Sequence, residues 1–159
     1  MMLFTNGSTT FIKGHCVTAY VIMPNHLHLL FHYAGGATSL NLLVGNAKRF
    51  LAYEIVKRLK QGENKELLQQ LSGAVEYKDQ QRGKQHEVWQ DSFDWKECRT
   101  EKFILQKLSY LHSNPCFGRW QLAESPLYYP HSSACFYHNG KHVGYPVTNY
   151  REVLSNMEE

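Results

Sequence analysis

A chain of 159 residues that is 43% hydrophobic and 19% charged has the composition of one globular domain, and it excludes a disordered chain. Its net charge of +3, with nine histidines besides, permits a polyanionic partner without requiring one. The four cysteines, Cys16, Cys98, Cys116 and Cys135, form no C-x-x-C pair, which excludes a zinc knuckle or a dithiol redox motif, and no apolar run is long enough to span a membrane.

At this size roughly 70% of the unfolded surface can be buried, so the core needs no covalent staple. The scattered thiols read as reduced. The first residues lack the charged and apolar regions of a secretory signal, so the expected location is cytoplasmic, with no membrane partner. The expected organisation is a single domain over 1–159, with a loop or insertion at 61–86 and a tail at 140–159.

Asn6-Gly7-Ser8 reads as a turn and Thr9–Lys13 as a short strand. Val17–Met23 is β-branched and aromatic and predicts a strand, punctuated by Pro24-Asn25. His26–Phe31 resumes the strand pattern, either as the second arm of a tight hairpin or as the continuation of one bent strand. From Leu40 to Lys60 the apolar positions Leu40, Leu43, Ala47, Phe50, Leu51, Ile55 and Leu59 recur at helical spacing. Ser39 is placed to cap that helix and Gly62 to stop it, and its last turn is basic, as the helix dipole favours.

The polar stretch 61–86 reads as a loop, with one helical turn near Glu66–Leu71. Val88-Trp89-Gln90 reads as a short strand. Thr100–Asn114 predicts a helix whose buried stripe is Ile104, Leu108 and Leu111, ended by Asn114-Pro115. Leu127–Pro130 and Ser132–Tyr137 read as loop or short extended pieces. His138–Lys141 reads as a turn, and the last residues as a short helix or a fraying end.

Chemistry concentrates in His26 and His28. Side chains alternate faces along a strand, so these two imidazoles share one face while Leu27, Leu29 and Phe31 take the other. Two nitrogen donors with open positions beside them are what a catalytic metal requires. On the 100–114 helix, Phe103, Lys107, Tyr110 and Asn114 fall on one side at helical spacing. Brought against the histidines, that side would add a phenol and an amide oxygen. Such a nitrogen and oxygen set suits Mg2+ or Mn2+, and Mn2+ tolerates histidine better.

Tyr20-Val-Ile-Met-Pro-Asn-His-Leu-His-Leu-Leu30 resembles the metal-binding motif of HUH single-strand DNA nucleases, and Tyr110-Leu-His-Ser-Asn-Pro115 resembles the tyrosine motif of the REP-associated tyrosine transposases. Val88-Trp-Gln-Asp-Ser-Phe93 is similar to that family's Trp-containing region, and Tyr129-Pro-His-Ser-Ser133 to its aromatic-Pro-x-Ser-Ser turn. The resemblance covers about residues 16–137 in the family's order. It implies an α+β, ferredoxin-like antiparallel sheet with helices packed on one face. The stretch before His26 is short, so the expectation is a sheet in which the family's first strand and helix are shortened or missing.

By the same resemblance, His26, His28 and Asn114 are the metal ligands and Tyr110 is the nucleophile. The implied activity is metal-dependent cleavage and rejoining of single-stranded or hairpin DNA through a 5′-phosphotyrosine link. Family members include monomers and dimers that exchange the tyrosine helix, so a homodimer is among the expected states. Lys48, Arg49 and Lys107 are the expected phosphate contacts and Trp89 an expected base platform, although each type more often serves as a solvated face or as core.

The competing reading is a descendant of such an enzyme that binds DNA without cutting it. A histidine-triad phosphohydrolase would need a further histidine where Leu30 stands, and a cupin-like enzyme a Gly-rich barrel pattern that is not evident.

Overall fold

The computed structural model describes residues 14–91 and 93–158, so the turn and strand expected at 6–13 lie outside the described residues. The chain divides into two compact units. One comprises the described residues 37–96, the other residues 14–36 and 97–158.

The second unit holds the sheet. Strand β1, Cys16–Ile22, and strand β2, Leu27–His32, pair antiparallel, which decides for a hairpin over one bent strand. Pro24-Asn25 makes the turn, closed where the Met23 amide donates to the His26 carbonyl at 2.8 Å. The register sets Val21 opposite His28 and Ile22 opposite Leu27, and a bulge at Thr18 breaks the pairing between Val17 and Ala19. Ala19, Tyr20 and Val21 are all fully buried, so β1 is covered on both faces and reads as a continuous apolar run rather than an alternating one.

The other edge of β1 is paired by the segment around Ser132. The Ile22 amide donates to the His131 carbonyl at 2.9 Å, and the Ser133 amide to the Tyr20 carbonyl at 3.0 Å. The Tyr129 hydroxyl donates to the Ile22 carbonyl at 2.7 Å and the Tyr137 hydroxyl to the Thr18 carbonyl at 2.8 Å. Backbone groups that a third strand would satisfy are met by a loop and two phenols.

Helix α4, Glu101–Ser113, packs on both strands through Ile104, Leu108 and Leu111, the expected stripe, together with His112. Ala19, Val21, Met23, Tyr129 and Tyr150 complete that core. A 3₁₀ turn at Asn114–Cys116 extends α4 past its expected end, with Pro115 buried. Ser132–Tyr137 is not extended. Helix α5, Ala134–Asn139, begins there and ends at Gly140 in the left-handed conformation, because Gly alone takes φ of 74° without Cβ strain. The expected tail at 140–159 forms helix α6, Tyr150–Glu158, and Tyr150 is part of the core.

In the first unit, helix α1 spans Leu40–Gln61, capped by the Ser39 hydroxyl on the Leu42 amide and stopped at Gly62 as expected. The expected loop at 61–86 is instead mostly helical: α2, Lys65–Gly73, is capped by Asn64, and α3 covers Tyr77–Gln80. Val88–Gln90 is not a strand. No strand lies beside it among the described residues, and the neighbouring Glu87 amide donates to the Leu71 carbonyl of α2 at 2.8 Å.

The α+β class with an antiparallel sheet and helix packed on it is therefore present, with two strands and six α-helices among the described residues. No described helix is long and apolar enough to cross a membrane.

Candidate metal and tyrosine site

Both expected histidines and the expected tyrosine belong to the second unit and come together. His26, expected on the strand but closing the turn just before β2, and His28, on β2, stand with their rings edge to face and centroids 4.7 Å apart. The His28 ring meets the Tyr110 ring edge to face at 5.8 Å. The sheet fixes the imidazoles, and α4, seated on the same sheet by Ile104 and Leu108, carries the phenol to them.

Asn25, which the sequence reading treated as a turn residue, orients His26. Its Oδ1 lies 2.7 Å from His26 Nδ1. A carbonyl oxygen can only accept, so Nδ1 carries the proton and Nε2 keeps its lone pair for a ligand. Burial, and next the neighbouring His26, lower the pKa of His28 below the ordinary histidine value, which holds its ring neutral and able to ligate near pH 7.

Tyr110 is 59% exposed. The Lys107 ammonium sits over two rings, 5.0 Å from the centroid of Phe103 and 5.9 Å from that of Tyr110. This is the expected face of α4, with its cation beside the phenol. Asn114 lies one turn beyond Tyr110, its Nδ2 donating to the Tyr110 carbonyl at 3.0 Å. That bond leaves the amide oxygen without a hydrogen bond among the described residues.

Two imidazole nitrogens and one amide oxygen fit a borderline divalent cation such as Mn2+ better than a hard oxygen-seeking one. No cluster of three or more His, Cys, Asp or Glu side chains that could hold a metal occurs among the described residues.

Compared with family models, curated proteins and solved structures, the chain finds no match. What it can do is read from its own residues.

The remaining expected residues, Lys48, Arg49 and Trp89, lie in the first unit. The Lys48 ammonium donates to the carbonyls of Gln90 and Asp91, tying α1 to the segment after Trp89. Trp89 is half-buried, and its indole N–H is buried without a partner among the described residues. The exposed tryptophan of this unit is Trp95, at 61%. Arg49 faces solvent with its guanidinium 5.0 Å from the Phe50 ring centroid.

His112, outside the stripe expected from the sequence, is one of the buried polar side chains of the second unit. It is buried, and its Nε2 lies 2.9 Å from Ser133 Oγ. That hydroxyl also accepts from the Tyr20 amide at 3.0 Å, so one serine joins α4, β1 and the start of α5. Burial pushes the His112 pKa down to about 4. Only the tertiary contact gives this histidine a role; no local signal in the sequence could have found it.

Proposed function

We propose that this chain is a metal-dependent single-stranded DNA nuclease and transposase that works through a 5′-phosphotyrosine intermediate. The observation that carries the reading is the edge-to-face run of His26, His28 and Tyr110, two metal-type donors and one nucleophile on adjoining elements. The order and spacing of their motifs, which resemble those of the REP-associated tyrosine transposases, support the same assignment.

A divalent cation held by His26, His28 and the Asn114 oxygen would polarise a non-bridging oxygen of the scissile phosphate. The chain's own part is to orient and to supply the nucleophile. Asn25 fixes the His26 tautomer, and burial keeps His28 uncharged. The Tyr110 hydroxyl attacks the phosphorus in line. The Tyr110 Oη–P bond forms, the P–O3′ bond breaks, the phenolic proton leaves to solvent, and the departing 3′ oxygen takes up a proton. The Lys107 ammonium, 5.9 Å from the Tyr110 ring centroid, stands where it can meet the substrate phosphate. The phosphodiester bond is replaced by another phosphodiester, so a 3′-hydroxyl can reverse the step without ATP.

The test is a radiolabelled single-stranded hairpin DNA incubated with Mn2+ and resolved on a denaturing gel. A protein–DNA adduct is expected, and Tyr110→Phe should reduce it on the order of 10³-fold or more while DNA binding persists. The second reading is a DNA-binding descendant of such an enzyme that does not cut. Binding without adduct would select it, and absence of any DNA binding would overturn both.

A further inference from the structure

We propose that the outer face of α1 is a track for single-stranded nucleic acid, made of stacking rings alternating with phosphate-binding cations. The inference deepens the nuclease reading and rests on it for the class of ligand, but it concerns binding away from Tyr110.

Leu42, Asn46, Arg49, Tyr53, Val56 and Lys60 succeed one another by three or four residues and so form one stripe along the helix, with Phe50 and Lys57 beside it. The helix buries Leu43 and Ala47; Phe50, at i+7 from Leu43, flanks that buried side, and Tyr53 lies on the stripe facing away from it. Tyr53 is 66% and Phe50 49% exposed, large rings that the unit leaves uncovered.

Charge says what they meet. Helix α1 carries Lys48, Arg49, Lys57, Arg58 and Lys60 against the single carboxylate Glu54. That carboxylate is already neutralised by Arg58 at 2.8 Å and Lys57 at 3.7 Å. Arg49 and Lys60 make no ion pair among the described residues. The Arg49 guanidinium rests over the Phe50 ring, so a cation and a stacking face are held together in advance.

From Leu42 to Lys60 the stripe runs about 27 Å, the reach of several nucleotides. A duplex hides its base faces, so rings presented this way suit unpaired bases. A second copy of the chain would lay Arg49 and Lys60 against like charges, which disfavours self-association through this face.

The experiment uses the full chain and a fluorescein-labelled oligothymidylate in EDTA, read by anisotropy over a salt series. Phe50→Ala with Tyr53→Ala should weaken binding about tenfold or more, with helicity and melting temperature held, since Ala favours the helix. Arg49→Gln, Lys57→Gln and Lys60→Gln together should reduce the slope of log affinity against log salt by about 2. Unchanged affinity and slope in both α1 variants overturn the proposal. So does a parent chain that sediments as a dimer which the ring variant makes monomeric. Loss of binding in the α1 variants with no adduct from the parent supports the track and removes the nuclease; an adduct with α1 variants of full affinity does the reverse.

Discussion

At the scale of single residues, His112 makes the sharpest statement about stability. Its pKa is about 4 in the fold against 6.5 for an ordinary histidine. Between those values the unfolded chain binds a proton that the folded chain refuses, so stability rises with pH through this window and falls as pH drops from 6.5 to 4. The full effect amounts to at most about 3 kcal/mol. Urea unfolding at pH 7 and at pH 4.5 should show the loss, and His112→Gln, which can still meet the Ser133 hydroxyl, should flatten that part of the profile. A variant as pH-sensitive as the parent would refute the assignment. The sequence hid this residue because a histidine in an apolar helix face looks the same whether it is solvated or bonded to a serine far along the chain. By contrast, the nearness of His26 and His28 was legible from their two-residue spacing at the start of a strand.

Elements were legible where their signals are local. The Thr100 hydroxyl accepts from the Phe103 amide at 3.3 Å and starts α4 where the sequence placed its beginning. Thr100→Ala should cost about 1 kcal/mol, measured as a shift of the urea midpoint at constant slope, and Thr100→Asp should recover it. If Thr100→Ala leaves the midpoint unmoved, the cap contributes nothing. Helix α1 was equally readable from its apolar spacing, Ser39 and Gly62. The stretch 61–86 reads as a loop because it is polar overall and α2 is only nine residues long and buries none of them fully, although Leu67, Leu68 and Leu71 do share one side. It is held by an Asn64 cap that accepts from the Leu67 amide. Val88–Gln90 failed in the opposite sense: its residues favour a strand, but no neighbouring strand offers the partner that makes one.

At the scale of the molecule, the second unit carries the hairpin, α4 and the candidate site, and the first carries α1 with its basic face. A cation that binds only the folded site stabilises the fold by mass action, by about 2.7 kcal/mol at a hundredfold excess over its dissociation constant. Mn2+ should therefore raise the melting temperature of the parent chain, and the paired change His26→Ala with His28→Ala should abolish that rise; an equal rise in both would remove the metal from these histidines. Sequence by itself determined the strand arms, the two long helices and the neighbourhood of the two imidazoles, which follow from short-range periodicity and capping, while the α+β class was implied by the family resemblance. Tertiary structure alone decided that α4 delivers Tyr110 to His28, that Tyr129 and Ser133 satisfy the second edge of β1, and that His112 is buried and bonded. Those outcomes depend on which distant surfaces meet, and the free energy that selects among such meetings comes from burial and hydrogen bonding summed over the whole unit, which no local pattern records.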